Sequence, residues 1–480
     1  MLEEIKLDKW GYEVKTNSDA CISAINAFYD QVLGYGRERS VILEAPIHDK
    51  DCVLGNILAA HFALSSGSAD SEDVVLYVRA AESHYDVATN YEKAVFHAVS
   101  SLMTEDRNDD VALRLHAKLA RDFPMDLLSL KRAQILCFYM GQPQPSLDLV
   151  QQALRQNEES DYIYGMLAFP FLELGKLIEA ERAARKGLEI NKQDVWAQHN
   201  LCHVLQQECR FDDAVQFMEE CSSAWSSCSS FLYTHNWWHV AVCYVEGHSP
   251  LRKVLDIYDL QILKELERPY CVAAEVYINA LGLLLRLYLR GETGACEDRL
   301  KALAKFLTDR TSWHVEWLLD ILSLWALASI GELSAAESLL ESLNSRVAAM
   351  FKPKQQRMQK GLLLAEALLE YGRHNHDKAL ALLGPDFDAC DYKMIGASDE
   401  QLDVFNDVWY TLLLSTGNAA KAIEILETRI KSRPGVPFMW RLLEKAYSMS
   451  GREEAAGAAE KASVLENAYF RSTAMNDSVA

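Results

Sequence analysis

The chain has 480 residues, half of them apolar, and a formal charge of -21 from 69 acidic against 48 basic side chains. That length allows roughly two or three globular domains, or one repeat array without domain breaks. An acidic surface opposes phosphate backbones and anionic lipid, and the most basic stretch, Lys352 to Lys360, reads as a solvated helix face. Nucleic acid and membrane are therefore not expected as partners; a basic or neutral protein or peptide, or a small polar ligand, is.

Helix formers dominate, while Gly at 22 and Pro at 11 are scarce, so the composition is that of an all-α protein. The opening Met1-Leu-Glu-Glu-Ile-Lys is charged and mixed rather than leader-like, and no run approaches the ~18 apolar residues of a membrane span. A cytoplasmic location is expected. The eleven cysteines stand singly, without CxxC pairs, and read as reduced thiols.

Taken in chain order, residues 1–90 read as an atypical helical capping region. It has helices over Ser18–Leu33 and Leu54–Leu64, a loop at 65–71, and a further helix from about Ser71. Residues 91–260 read as regular repeats, because Arg107, Gly141, Gly175 and Cys209 mark hairpin turns at a constant spacing of 34. Within Asp161 to Asp194, Tyr164, Leu167, Ala168 and Phe171 form the stripe of a first helix, and Ala180, Ala184 and Leu188 face back from a second. The small Ala168 is placed where two helices touch, and Gln198 of the next repeat at a groove edge.

Residues 261–400 read as degenerate hairpins around Gly291, Gly331 and Gly372, and 401–470 as C-terminal repeats turning at Gly417 and Gly451. Residues 471–480 read as a frayed tail. The expected fold is a right-handed α-solenoid of tetratricopeptide-type hairpins, most regular from Arg107 to about Tyr258.

The sequence carries no phosphate-binding glycine loop, GxSxG, HExxH or dinucleotide fingerprint, so no catalytic residues or cofactor are implied and the chain is expected to bind rather than catalyse. Its distinctive feature is a pair of histidine pairs. His199 and His203 lie four apart on one helix, and His235 and His239 lie four apart on the first helix of the next hairpin. A register starting at Thr234, one residue later than a turn at Gly247 would demand, puts Trp237, Val240, Ala241 and Tyr244 at core positions. The four histidines, with Trp196, Trp238 and Gln206, then line the concave groove. Three readings stay open for the histidines: structural side chains, a polar pocket for a small ligand or peptide, and a metal site, for which HxxxH spacing is a sound but unspecific device.

Several stretches together resemble the tetratricopeptide repeat protein 38 family over close to the full length. They are Phe123-Pro-Met-Asp-Leu-Leu-Ser-Leu-Lys, the Gly175 hairpin, Trp196-Ala-Gln-His-Asn-Leu-Cys-His, His235-Asn-Trp-Trp-His, and Gly396 through Asp403-Val-Phe-Asn. The resemblance implies a cytosolic helical-repeat protein and brings no reaction with it. In that family a glutamate follows the second histidine by three residues, where this chain has Gln206. An amide is neither a carboxylate ligand nor a base, which weakens the metal and catalytic readings. The leading expectation is a scaffold that captures a peptide or protein in its groove; the alternative is a small-molecule-binding or metal-dependent enzyme using residues 196–239.

Overall fold

The computed structural model describes residues 5–66, 72–104 and 107–470. Most of the loop expected at 65–71 and the whole of the tail expected at 471–480 lie outside the described residues. Among the described residues the chain is all-α apart from one antiparallel ribbon, β1 (Ile5–Leu7) with β2 (Glu13–Lys15), in which Lys6 faces Val14, and an isolated bridge between Gly36 and Cys228. It divides into two compact units, residues 1–201 with 227–229, and residues 202–226 with 230–480.

The first unit holds α1 (Asp19–Leu33), α2 (Glu44–His48), α3 (Val53–Ser65), α4 (Glu72–His84), α5 (Asn90–Ser100), α6 (Asp109–Asp122), α7 (Leu127–Tyr139), α8 (Pro143–Asn157), α9 (Ile163–Glu173) and α10 (Leu177–Ile190). The division between the units falls inside the continuous helix α11 (Val195–Gln207). The second unit continues with α12 (Phe211–Cys221), α13 (Ser230–Glu246), α14 (Leu251–Ile257), α15 (Ala273–Leu289), α16 (Thr293–Leu307), α17 (Trp317–Ser329) and α18 (Leu333–Ala348). It ends with α19 (Lys352–Gly372), α20 (His376–Leu383), α21 (Asp399–Ser415), α22 (Ala419–Ser432), α23 (Pro437–Met449) and α24 (Ala455–Glu466).

One backbone device generates the repeat. After the first helix of a hairpin, a residue in the left-handed region lets the next N–H reach back to the carbonyl five residues earlier. Gln142 N–H donates to Cys137 O at 2.8 Å, Lys176 to Phe171 at 2.9 Å, Arg210 to Leu205 at 2.8 Å and Ser249 to Tyr244 at 2.9 Å. This closes the helix by satisfying one of its terminal carbonyls. The left-handed residues are Gly141, Gly175, Cys209 and His248, with φ of 65°, 69°, 57° and 58°. His248, rather than Gly247, is the turn residue that the register starting at Thr234 requires. The hairpin is longer than its predecessors because a 3-10 segment, Ser222–Ser227, is inserted between α12 and α13.

Gly372 plays a different part from the one expected. The left-handed residue of that hairpin is His374, with φ of 62°, and Gly372 is the last residue of α19. A Cβ at Gly372 would lie 2.6 Å from the Trp325 carbonyl oxygen and 2.7 Å from the Ala328 Cβ, so its hydrogen permits close packing of α19 on α17. Gln198 also departs from expectation: it is buried, and its Nε2 donates to Lys192 O at 2.8 Å, so it is no groove edge. Ala168 is fully buried in α9.

The close approach at Gly372 predicts that Gly372→Ala costs about 1–3 kcal/mol in urea unfolding. Gly457→Ala, in α24 with open space around the added methyl, should instead stabilise by up to about 1 kcal/mol. Shifts of one sign for both would contradict this packing.

In the first unit His116 is fully buried on α6, donating Nδ1–H to Ala112 O at 2.9 Å. Burial pushes its pKa down to about 4, with Arg132 and Arg107 acting in the same direction. Because the unfolded chain takes up this proton more readily, His116 stabilises the fold fully above about pH 6.5 and loses that contribution as pH falls toward 4. His116→Leu should flatten the fall in thermal midpoint between pH 6.5 and 4 and leave the midpoint at pH 8 little changed.

Candidate functional site

Helix α11 has its phase set at its first turn. The Asp194 Oδ1 accepts from Trp196 N at 3.0 Å and Ala197 N at 3.1 Å, which caps the helix. Gly165 on α9 lets the two backbones approach, since a Cβ there would stand 2.9 Å from Asp194 Oδ2, and Asn200 Nδ2 donates to Gly165 O at 2.8 Å. Helix α13 is positioned from α15: Phe231 N donates to Glu275 Oε2 at 2.7 Å, near the N-terminal end of α13.

With both helices fixed, the two histidine pairs converge. His199, His203, His235 and His239 each offer a ring nitrogen, and these atoms lie within 4.8 Å of one another. All four side chains are between 0 and 2% exposed. The rings contact one another directly, His203 with His239 at 4.3 Å between centroids and His235 with His239 at 4.8 Å. Trp196 stacks on His199 at 4.6 Å and Trp238 on His235 at 5.1 Å. Trp196 is half-buried, whereas Trp238 and Gln206 are buried.

The expected open groove is thus corrected to an enclosed polar cluster. The helical-wheel argument assumes one apolar stripe and one wet face, but α13 is buried nearly all the way round, and its histidine face meets other protein. Trp237, placed in the core by the sequence, is only half-buried.

Three of the rings are held from behind through Nδ1. His203 Nδ1 meets Glu400 Oε2 at 2.7 Å, His239 Nδ1 meets Gln206 Oε1 at 3.0 Å, and His235 Nδ1 meets Asn279 Oδ1 at 2.8 Å. The amide orientations follow from their other bonds. Asn279 Nδ2 donates to Thr234 Oγ1 and Glu275 O, and Gln206 Nε2 donates to Glu246 Oε2. Both amide oxygens are therefore acceptors, Nδ1 of His235 and His239 carries the proton, and Nε2 carries the lone pair. This is how metal-binding imidazoles are generally oriented by their outer partners. Burial pushes His235 down to about 4, partly offset by its bond to Asn279, so its ring is neutral near pH 7, the form that coordinates a metal.

Glu400, near the N-terminus of α21, is the residue that sequence reasoning missed. Burial works against its charge, yet His203 and the Gln207 amide hold it ionised, with its pKa down at about 2. Gln207 Nε2 donates to Oε1 at 2.9 Å, and Arg286, which lies over the Trp238 ring, donates to the Glu400 carbonyl. Glu400 lies inside the stretch from Gly396 to Asn406 that carries part of the family resemblance, and that placement was its only sequence signal. The weight placed on Gln206 also changes: it contacts Nδ1 of His239, where an amide oxygen serves as well as a carboxylate, and a carboxylate enters the cluster from Glu400.

Behind Gln206 lies a buried ionic network. Arg433 Nη2 donates to Glu246 Oε2 at 2.7 Å and Nη1 to Asp403 Oδ2 at 3.2 Å, while Arg429 also binds Asp403. Removing one member of such a network strands the other. Arg433→Met should cost about 3–5 kcal/mol in denaturant unfolding, against well under 1 kcal/mol for Arg252→Met in the exposed pair with Asp256.

No family model matches the chain. Among solved structures it matches a human IFIT1 dimer with m7Gppp-AAAA, at 13% identity and a TM-score of 0.39, covering 94% of this chain and 91% of that one. It also matches a human IFIT1 dimer with PPP-AAAA, at 13% identity and a TM-score of 0.38, covering 93% and 91%. A monomeric IFIT1 mutant with Gppp-AAAA matches at 13% identity and a TM-score of 0.39. Those structures contain capped or triphosphate oligonucleotides, and the exclusion of nucleic acid drawn from net charge is corrected: net charge alone does not exclude such a partner. A formal charge averages a whole surface, whereas phosphate is held by local groups that such an average does not register. Among the described residues no helix is long and apolar enough to cross a membrane.

Proposed function

We propose that this chain is a tetratricopeptide-type helical protein whose specific function is to hold a divalent first-row transition metal on His199, His203, His235 and His239. The observation that carries this reading is the convergence of the four ring nitrogens within 4.8 Å. Three of the rings are oriented through Nδ1 by Glu400, Gln206 and Asn279. Imidazole suits zinc, copper, iron and nickel, so the donor set alone fixes the class of metal rather than its identity. The repeat frame is then a binding scaffold whose occupant is an ion; a peptide groove loses support because the histidines proposed to line it are enclosed. The resemblance to the tetratricopeptide repeat protein 38 family belongs with this proposal, as does a cytoplasmic setting, which the mostly buried, singly placed cysteines support.

Untagged protein, purified without chelators, should carry about one first-row metal ion per chain by mass spectrometry. The double variant His199→Ala with His239→Ala should carry under a tenth as much while keeping its helical circular dichroism. Equal metal content in the two folded proteins would refute the reading.

A further inference from the structure

The second unit also holds a chain of hydrogen bonds far in sequence from the histidine cluster. It centres on His314, between α16 and α17, whose φ of 65° puts a non-glycine residue in the left-handed region. Two contacts hold it there: its N–H donates to Asp320 Oδ1 at 3.0 Å, and its carbonyl accepts from Arg346 Nη1 at 3.1 Å. Such a conformation persists where the surroundings over-determine it, and here it aims the ring. His314 Nδ1 stands 3.0 Å from Asp320 Oδ2, and Nε2 stands 2.7 Å from Ser342 Oγ.

The proton positions follow from the partners. Asp320, near the start of α17, is buried and meets an N–H with each of its oxygens, as a carboxylate does. Nδ1 therefore carries the proton of the neutral ring and Nε2 the lone pair, so the Ser342 hydroxyl donates to Nε2. A serine within a helix commonly bonds the carbonyl one turn back. Ser345, three residues further along α18, does so, donating to Glu341 O at 3.0 Å. Ser342 instead gives its hydroxyl to an imidazole that a carboxylate orients. A hydroxyl bonded to a base, with the base held by a third group, is the arrangement that makes an alcohol nucleophilic.

The array opens to solvent along one edge. The His314 side chain is 19% exposed, Ser342 is half-buried, and Val315, Asn344 and Arg346 beside them are exposed. Arg346 stands one turn after Ser342 on the same face of α18, so a tethered positive charge flanks the hydroxyl. We propose that Ser342, His314 and Asp320 form an acyl-transfer site that hydrolyses small carboxylic esters. Amides demand more, a protonated leaving nitrogen and several donors on the oxyanion, and Arg346 is a single cation.

Ser342 Oγ attacks the ester carbonyl carbon as its proton passes to His314 Nε2, and Arg346 offers its charge to the oxygen that becomes negative. The bond from that carbon to the alcohol oxygen breaks, and His314 protonates the leaving alcohol. Water then attacks the acyl-serine, gives a proton to His314, and releases the carboxylic acid as the proton returns to Ser342. Asp320 touches no substrate; it is a positioning residue that fixes the ring and its tautomer.

Full-length protein treated with a fluorophosphonate, which transfers its phosphonyl group to an activated serine with loss of fluoride, tests this directly. Mass spectrometry should find Ser342 modified at least ~100-fold faster than Ser345 on the same helix, and the modified protein should lose its turnover of p-nitrophenyl acetate. Equal reactivity of the two serines, no modification of Ser342, or turnover that survives complete modification would overturn the proposal. His314→Asn, whose side chain tolerates the left-handed turn, should slow the reaction of Ser342 by ~100-fold or more. Asp320→Asn, which keeps an acceptor for the His314 N–H, should lower kcat for the ester at unchanged KM; an unchanged kcat would reduce the array to a structural link.

Discussion

The site depends on one constraint: an imidazole taken out of water must give its N–H to an acceptor, or the fold bears the desolvation of that group. Three acceptors meet this demand here, and they come from three places in the chain, Gln206 from α11 itself, Asn279 from α15 and Glu400 from α21. Each acceptor is immobilised by a further bond, so the constraint propagates outward through Gln207, Thr234 and the Glu246–Arg433–Asp403 network. Enclosure and proton position are thus fixed together: the hydrogen bonds that make it tolerable to bury the rings also select which nitrogen faces the cluster.

How legible this was in the sequence varied with the range of the interaction. The hairpin period was readable because a left-handed turn is a local steric demand, met most cheaply by glycine at 141, 175, 417 and 451. Where Cys209, His248 or His374 takes that conformation, composition gives no warning, and only the phase of the surrounding apolar positions locates the turn. Gly372 illustrates the converse: a glycine near a helix end was taken for the turn, while its lack of a side chain serves the contact with α17. The histidine pairs were visible as spacing, and their convergence followed from a register that His248 satisfies. Their burial was not visible, because a polar face on a helix looks the same in sequence whether it meets water or other buried polar groups. Glu400 could not be found by pattern at all, since its role is created by tertiary packing across roughly two hundred residues of chain.

Gln206 shows why residue type is a poor guide to role inside such a cluster. Judged as a ligand or a base, an amide in place of a carboxylate is a loss of function. Judged by geometry, the position faces Nδ1 of His239, and the requirement there is for an acceptor with its other end anchored. The amide meets that requirement without adding negative charge. Because His203 is backed by an ionised carboxylate and His235 and His239 by neutral amides, these imidazoles are not electronically equivalent. An anion behind the ring makes its other nitrogen more electron-rich, so on the proposed metal reading His203 would be the strongest donor of the three.

The histidines come as two pairs on two helices, and this shapes how the site is controlled. A ring on a loop can move alone, but His199 and His203 sit one turn apart on α11, and any rotation of that helix carries both. The same holds for His235 and His239 on α13. The placement of the four rings therefore follows the phases of two helices, set at Asp194 for α11 and through Glu275 for α13. Both anchors act at the N-terminal ends of their helices, about one to two and a half turns before the histidines, and the later turns of α11 are held by apolar packing together with bonds from Asn200, Gln206 and Gln207. The N-terminal contacts of two helices, one a side-chain cap and the other a bond from the next helix, in this way aim all four rings.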